Sequence, residues 1–229
     1  MRKLIGLFLL TISLSSASSI TFVTPTGANA GGGLVSASGQ VDITGTLVTV
    51  TLKNLFANPT DVAQLLSDFS FTLSSTPTTA LNTTTTPTAS MIYINEPNTG
   101  DPIRPWNLTS SGFTVLLERL GATGAPSELI IGPGPYTNAN GSISGNGPHN
   151  PFLDQTAVFS FNVAGINSNT TVTGAVFSFG TTLGIGLVPG TVCTTCGGST
   201  IQATPEPISL TLIGAGLVGI GLLKRFRRS

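Results

Sequence analysis

Few residues of this sequence have types and spacing that could do chemistry, and each can be weighed by what its chemistry would need. Gly214, Gly216 and Gly219 spell G-x-G-x-x-G, the glycine pattern of a dinucleotide-binding turn. Such a turn needs a strand before it, a helix and strand after it, and an acidic residue about twenty positions on. The ten residues after Gly219 include no acidic group, and the pattern lies inside an apolar run, so the cofactor reading is rejected. His149 is the single histidine, which rules out H-E-x-x-H zinc sites and any two-histidine catalysis. A Ser-His-Asp arrangement would have to use it, yet no G-x-S-x-G elbow accompanies it; in GPHNPF it reads as a loop imidazole bonded to backbone. Cys193 and Cys196 form CTTC and are the only cysteines. This spacing suits a redox dithiol, half of a zinc site, or a small disulfide loop, and in an exported chain the disulfide is the expected form. Glu96, Asp101 and Asp154 could offer oxygen ligands to calcium, but they lack D-x-D-x-D spacing. No cofactor, metal site or catalytic residue is expected.

The 229 residues give room for one fairly large domain, or for one modest domain with sorting segments. Only 8% are charged, against about 25% in typical soluble domains. The zero net charge conceals a segregation. Arg2 and Lys3 open the chain, and Lys224, Arg225, Arg227 and Arg228 close it. Between residues 19 and 203 stand three cations (Lys53, Arg104, Arg119) against eight carboxylates, a net of −5. A body without a basic stripe cannot bind nucleic acid by counterion release.

MRKLIGLFLLTISLSSASS has the layout of a secretory signal peptide: two cations, an apolar run over 4–14, then small residues. Residues 1–18 are assigned to it, with cleavage after Ala17 or Ser18, and Ala28-x-Ala30 as a more distant option. At the other end, 208–223 is sixteen uncharged residues, about 24 Å of helix at 1.5 Å per residue. That is slightly short of a bilayer core, a gap that snorkelling by Lys224 can close. The basic cluster 224–228 then stays cytoplasmic and the preceding domain faces outward. In such a helix Ala215 and Gly219 form a small-xxx-small pair through which two helices could approach. Before the span, Pro205 and Pro207 fix a non-helical backbone and hold Glu206 at the outer membrane face.

A Pro-Glu-Pro triplet, a short apolar span and a basic cluster, on a chain with an export signal, resemble the PEP-CTERM sorting signal of Gram-negative bacteria. Here the parts are Pro205-Glu206-Pro207, residues 208–223 and residues 224–228. The resemblance implies that an integral-membrane exosortase, a cysteine protease-transpeptidase, recognises the tail, cleaves near the triplet and passes the protein toward the cell surface. It covers about a tenth of the chain and concerns delivery. FTLSS and the GPHNPF…FSFG stretch are also similar, diffusely, to the globular part of other PEP-CTERM proteins, with no activity attached.

The body, residues 19–192, must fold from strands. Val48, Val50 and Leu52 alternate with threonines, and Phe-Ser-Phe recurs at 69–71, 159–161 and 177–179, each time placing two rings on one face. Strands are expected near 20–24, 34–44, 46–55, 68–74, 90–95, 112–118, 127–132, 156–164 and 171–180, with one short helix over 60–67 capped by Asn58 or Thr60. The expected fold is all-β, a β-sandwich or jelly-roll-like ectodomain, followed by a stalk at 193–204 and a single transmembrane helix at 208–223. The Thr/Pro-rich stretch 75–88 reads as a loop that does not pack, either bare or carrying O-linked sugar. Residues 132–152 read as a long polar loop of the kind that carries binding residues. Sequons stand at Asn82, Asn107, Asn140 and Asn169.

These readings converge on an exported cell-surface or matrix protein, a substrate of the sorting enzyme with no catalysis of its own, structural or adhesive in an exopolysaccharide or biofilm layer. The alternative is a module that binds the exopolysaccharide. Trp106, Tyr93 and Tyr136 are its only Trp and Tyr side chains, and Trp106 is the expected sugar contact.

Overall fold

The structure is a computed structural model, and it describes residues 17–122 and 126–196. Nearly all of the expected signal peptide, the end of the stalk, the Pro205-Glu206-Pro207 triplet, the span 208–223 and the basic residues Lys224, Arg225, Arg227 and Arg228 lie outside the described residues. Among the described residues no helix is long and apolar enough to cross a membrane.

The described chain is all-β. Its strands are β1 (Ala17–Val23), β2 (Ala37–Thr44), β3 (Leu47–Asn54), β4 (Leu66–Leu73), β5 (Asn82–Thr85), β6 (Thr88–Ile92), β7 (Trp106–Ser111), β8 (Thr114–Glu118), β9 (Ile130–Ile131), β10 (Phe152–Asn162), β11 (Val172–Phe179), β12 (Leu187–Pro189) and β13 (Thr191–Val192). They form one sheet with the order β13-β1-β2-β3-β10-β9-β4-β8-β7-β5, while β11 also pairs with β4 and β12, and β6 with β10. The branching at β10 has a local cause. Its ladder shifts register between Leu153 and Ala157, where Gln155 adopts a left-handed φ of 60°, so a bulge re-aims the strand. The first part meets β9, and the rest runs along β3.

Period-two alternation sets what is buried. Val48, Val50 and Leu52 point inward, as do all six Phe-Ser-Phe rings: Phe69, Phe71, Phe159, Phe161, Phe177 and Phe179. A buried side chain of this size contributes about 1.5–3 kcal/mol, so the repeated triplets supply much of the core. The core also joins strands that share no ladder. Trp106 of β7 packs on Phe159 of β10 with ring centroids 5.0 Å apart.

Several expectations need correction. The helix expected over 60–67 is a single 3-10 turn at Val62–Gln64. Its cap is Asp61 rather than the expected Asn58 or Thr60: Asp61 accepts from the Ala63 amide, and Gln64 Oε1 accepts from the Thr60 and Asp61 amides. Leu65 is nevertheless already extended as the C-cap and Leu66 opens β4, which pairs with β8, β9 and β11, so the turn stops. The expected strand 112–118 is the second arm of the hairpin β7–β8, turned at Gly112 with a φ of 56°. The Thr-rich stretch does pack: β5 pairs with β7 as an edge strand, and Leu81 lies against the core.

The start of β1 bears on export. Cleavage after Ala17 or Ser18 trims the first residues of a strand paired from Ala17↔Thr44 to Val23↔Ser38. Cleavage after Ala30 would strip buried Ile20 and Phe22 from the core.

Candidate functional site

A second, smaller apolar cluster supports the loops at one end of the sheet. Val62, Leu65, Ile94, Leu129, Ile131, Ile143 and Phe152 form it, with Tyr136 and Ala139 packed against it. Ile143 belongs to the long polar loop and is fully buried, so that loop has a core contact of its own. Polar bonds fix the remainder. The Asn150 amide nitrogen donates to the Asn146 carbonyl at 3.1 Å, and its oxygen accepts from the Ile94 amide at 2.9 Å. The Asn140 amide donates to the Thr60 carbonyl at 2.8 Å, and the Ser142 hydroxyl accepts from the Val62 amide at 2.9 Å. His149 joins this frame: its Nδ1 lies 2.8 Å from the Ser142 carbonyl, which can only accept, so Nδ1 carries the proton.

This frame holds a groove of about 350 Å³ between residues 92–95 and the long loop. Tyr93 and Tyr136 line it together with Asn95, Thr137 and Ser144. The Asn95 side-chain nitrogen donates to the Ser144 hydroxyl, tying the two segments across the site. Asn95 and Tyr136 have left-handed φ values of 53° and 61°, a conformation rare for an aromatic residue and costing about 1–3 kcal/mol. The Tyr136 hydroxyl donates to the Gly132 carbonyl at 2.8 Å. Burial, followed by the nearby Asp154 charge, pushes this phenol up to about 12, so it stays a neutral donor. The Tyr93 hydroxyl pairs with Thr99 at 3.2 Å, and Thr99 donates to Asp101 at 2.6 Å.

Ladder registers place the groove relative to the chain's exit. Ala17, Thr44, Leu47 and Asn162 share one end of the sheet, while Val23, Ser38, Lys53 and Thr156 lie further along. β10 continues past Thr156 to Phe152, opposite Ile92, and there the groove stands. β13 runs antiparallel to β1, with Val23↔Thr191 and Phe22↔Val192. The Cys193 amide then reaches the Thr21 carbonyl at 2.8 Å. The disulfide loop then turns the chain, so that Cys196, the last described residue, lines a recess with Val23, Ser38 and Lys53.

The other expected site residues fall as follows. Cys193 and Cys196 are joined by a disulfide with Cα atoms 5.6 Å apart. Trp106, the expected sugar contact, is corrected: it is fully buried against Phe159 and has no face to offer a ligand. The aromatic side chains at this surface recess are instead Tyr93 and Tyr136, which 43 residues of sequence separation concealed as a pair. Asn95, Thr137 and Ser144 carried no signal in the sequence. Glu96, Asp101 and Asp154 are not gathered; among the described residues no three His, Cys, Asp or Glu side chains meet as a metal group.

Two buried charged arrangements lie nearby. Arg119 Nε stands 3.5 Å from Glu128 Oε2, and both side chains are about as buried as the core. Asp68 accepts from the Arg119 and Leu120 amides at 2.8 and 3.2 Å. Burial, outweighing those bonds, pushes its carboxyl up to about 6. Neither arrangement opens into the groove.

No family model, curated protein or solved structure matches the chain.

Proposed function

We propose that this chain is an exported cell-surface or extracellular-matrix protein whose β-sandwich-like ectodomain is delivered by an exosortase-type system. Its role is structural or adhesive in the exopolysaccharide or biofilm layer, and it serves as the substrate of a sorting protease-transpeptidase rather than as an enzyme. The observation that carries this reading is the succession of sequence parts at the tail: Pro205-Glu206-Pro207, the uncharged run 208–223, then Lys224, Arg225, Arg227 and Arg228. Before processing, that run places the precursor in the inner membrane with the body outside.

The body supports the reading in two ways. β13 and the disulfide hold the start of the stalk against β1. The packing of Trp106 on Phe159, their ring planes inclined at 57°, also supports the sandwich description, since β7 and β10 share no ladder and meet through these side chains.

Mass spectrometry of the mature protein from its native host tests the sorting claim. A C-terminus at or close to Pro205-Glu206-Pro207 is expected. Persistence of residues 208–229 in the mature protein makes the tail a permanent anchor and overturns the processing step.

A further inference from the structure

We propose that the groove between Tyr93 and Tyr136 is a binding site for a short segment of a neutral polysaccharide. The lining holds two tyrosines, one carboxamide and two hydroxyls among four apolar residues, and no charged side chain. That is the chemistry a pyranose needs: aromatic surface for its C–H face, and mixed donors and acceptors for its hydroxyls. At about 350 Å³ the groove sits at the small end of the roughly 300–1,000 Å³ range of small-ligand sites.

Other ligand classes fit worse. A phosphate or nucleotide would want Arg or Lys, and neither lines the groove. A lipid or apolar peptide would want a continuous apolar wall, whereas Asn95, Thr137 and Ser144 interrupt it. The charges around the site are acidic: Asp154 acts on Tyr136, and Asp101 accepts the hydrogen bond that continues from Tyr93 through Thr99. That field selects against uronate-rich polymers and leaves neutral or N-acetylated ones.

The site is also built before any ligand arrives. Ile143 anchors the long loop in the second apolar cluster, Asn95 is tied to Ser144, and Tyr136 is held at a left-handed φ that the loop has to enforce. Rigid placement of this kind lowers the ordering cost of binding. The binding claim does not depend on whether the tail is cleaved.

The test uses the full chain in detergent on an array of gluco-, manno-, galacto- and N-acetylglucosamine oligosaccharides beside uronate-containing ones. Binding to at least one neutral or N-acetylated oligomer is expected, weakened tenfold or more by Tyr93→Ala and by Tyr136→Gly, the latter keeping the left-handed backbone accessible. Tyr93 and Tyr136 are the chain's only tyrosines, so tetranitromethane nitration of the unaltered protein reports on the groove without any substitution. The bound oligomer should slow nitration at Tyr93, whereas Tyr136, held as a neutral phenol, reacts too slowly with a reagent that attacks phenolate to report. Absence of binding to every neutral oligomer, tighter binding of uronates, or a Tyr93 nitration rate unchanged by a bound oligomer overturns the proposal. Failure of the sorting claim would appear only in the mature C-terminus, so the two outcomes are separable.

Discussion

Gly39 on β2 lies beneath the ring of Phe69 on β4: a methyl group at Gly39 would stand 2.8 Å from two Phe69 ring carbons and 3.2 Å from Leu52 Cδ2. Its lack of a side chain is needed for close approach across the core, where Phe69 also packs on Phe177 with centroids 5.1 Å apart. Gly39→Ala should therefore destabilise by about 1–3 kcal/mol through overpacking. Gly141→Ala, at a position with nothing within 4 Å, should stay within about 0.5 kcal/mol of the parent. Urea unfolding of the two variants makes the comparison, and equal midpoints would refute the cross-core contact.

Trp106 is the core's largest side chain, and its indole Nε1 is the one buried side-chain polar atom without a hydrogen-bond partner among the described residues. An unpaired N–H of this kind costs about 1–3 kcal/mol, which Trp106→Phe would recover while losing some packing volume. The two terms are of similar size, so Trp106→Phe should fall within about 1 kcal/mol of the parent, while Trp106→Ala should lose about 3–5 kcal/mol. Neither change should alter which oligosaccharides the chain retains. A selective loss of sugar binding in a folded Trp106→Phe variant would return this residue to the site from which its burial removes it.

Asp68 predicts the direction of the stability–pH profile. Its carboxyl holds a proton up to about pH 6 when folded, because burial opposes the charge, against an ordinary value of 3.8. Between those values the folded chain binds more protons than the unfolded one, so stability is greatest below the lower value and falls as pH rises through the upper. A displacement of this size corresponds to about 3 kcal/mol at most. The parent should melt higher at pH 5 than at pH 7, and Asp68→Asn should flatten that difference. A profile that rises with pH in the parent and is unchanged in the variant would show that Asp68 is ionised and satisfied where it lies.

The Cys193–Cys196 disulfide closes a very short loop, for which chain entropy allows about 2 kcal/mol. A Cys193→Ser/Cys196→Ser double variant should lose no more than that globally. Its local effect should be larger, because β13 holds β1 by only two register pairs. Amide exchange at Val192 and Cys193 should accelerate in the variant while the β2–β3 ladder is unaffected. Thiol titration of the parent should give no free thiol before reduction and two after it.

What could be read from the sequence divides along physical lines. Strands with strict alternation were legible, since Val48, Val50, Leu52 and the Phe-Ser-Phe rings reveal their inward face by local spacing alone. The helix over 60–67 misled because capping is a local signal: Asp61 and Gln64 do cap one turn, and the sheet's demand for the chain from Leu66 onward is invisible from within the segment. β5 was hidden because an edge strand of threonines buries almost nothing and borrows its structure from β7. The groove was half legible. Both tyrosines and the long loop stood out as residues and as a segment, but their meeting depends on Ile143 and Phe152 joining one cluster. Trp106 shows the reverse error, an aromatic side chain that composition offers as a ligand contact and packing assigns to the core.

Arg119 and Glu128 give the most discriminating test of the energetics. Both side chains are almost wholly buried with Nε and Oε2 3.5 Å apart. Burial nevertheless wins over their attraction in both, lowering the Arg119 value and raising that of Glu128. The Arg119 Nε–H also donates to the Ser127 carbonyl at 2.9 Å, and Glu128 Oε2 accepts from the Arg104 amide at 3.1 Å. Breaking such a pair from one side leaves a buried charge and costs about 3–5 kcal/mol, whereas replacing both partners is close to neutral. The two sides are unequal, because a guanidinium cannot shed its proton while a carboxylate can acquire one. Glu128→Gln should therefore cost more than Arg119→Met, and the cost of Arg119→Met should shrink on going from pH 7 to pH 5, where the stranded Glu128 can neutralise. The double variant should cost clearly less than the sum of the single ones. A double-mutant cycle by urea unfolding at both pH values reads all three relations, and additive costs independent of pH would show that the pair is not coupled.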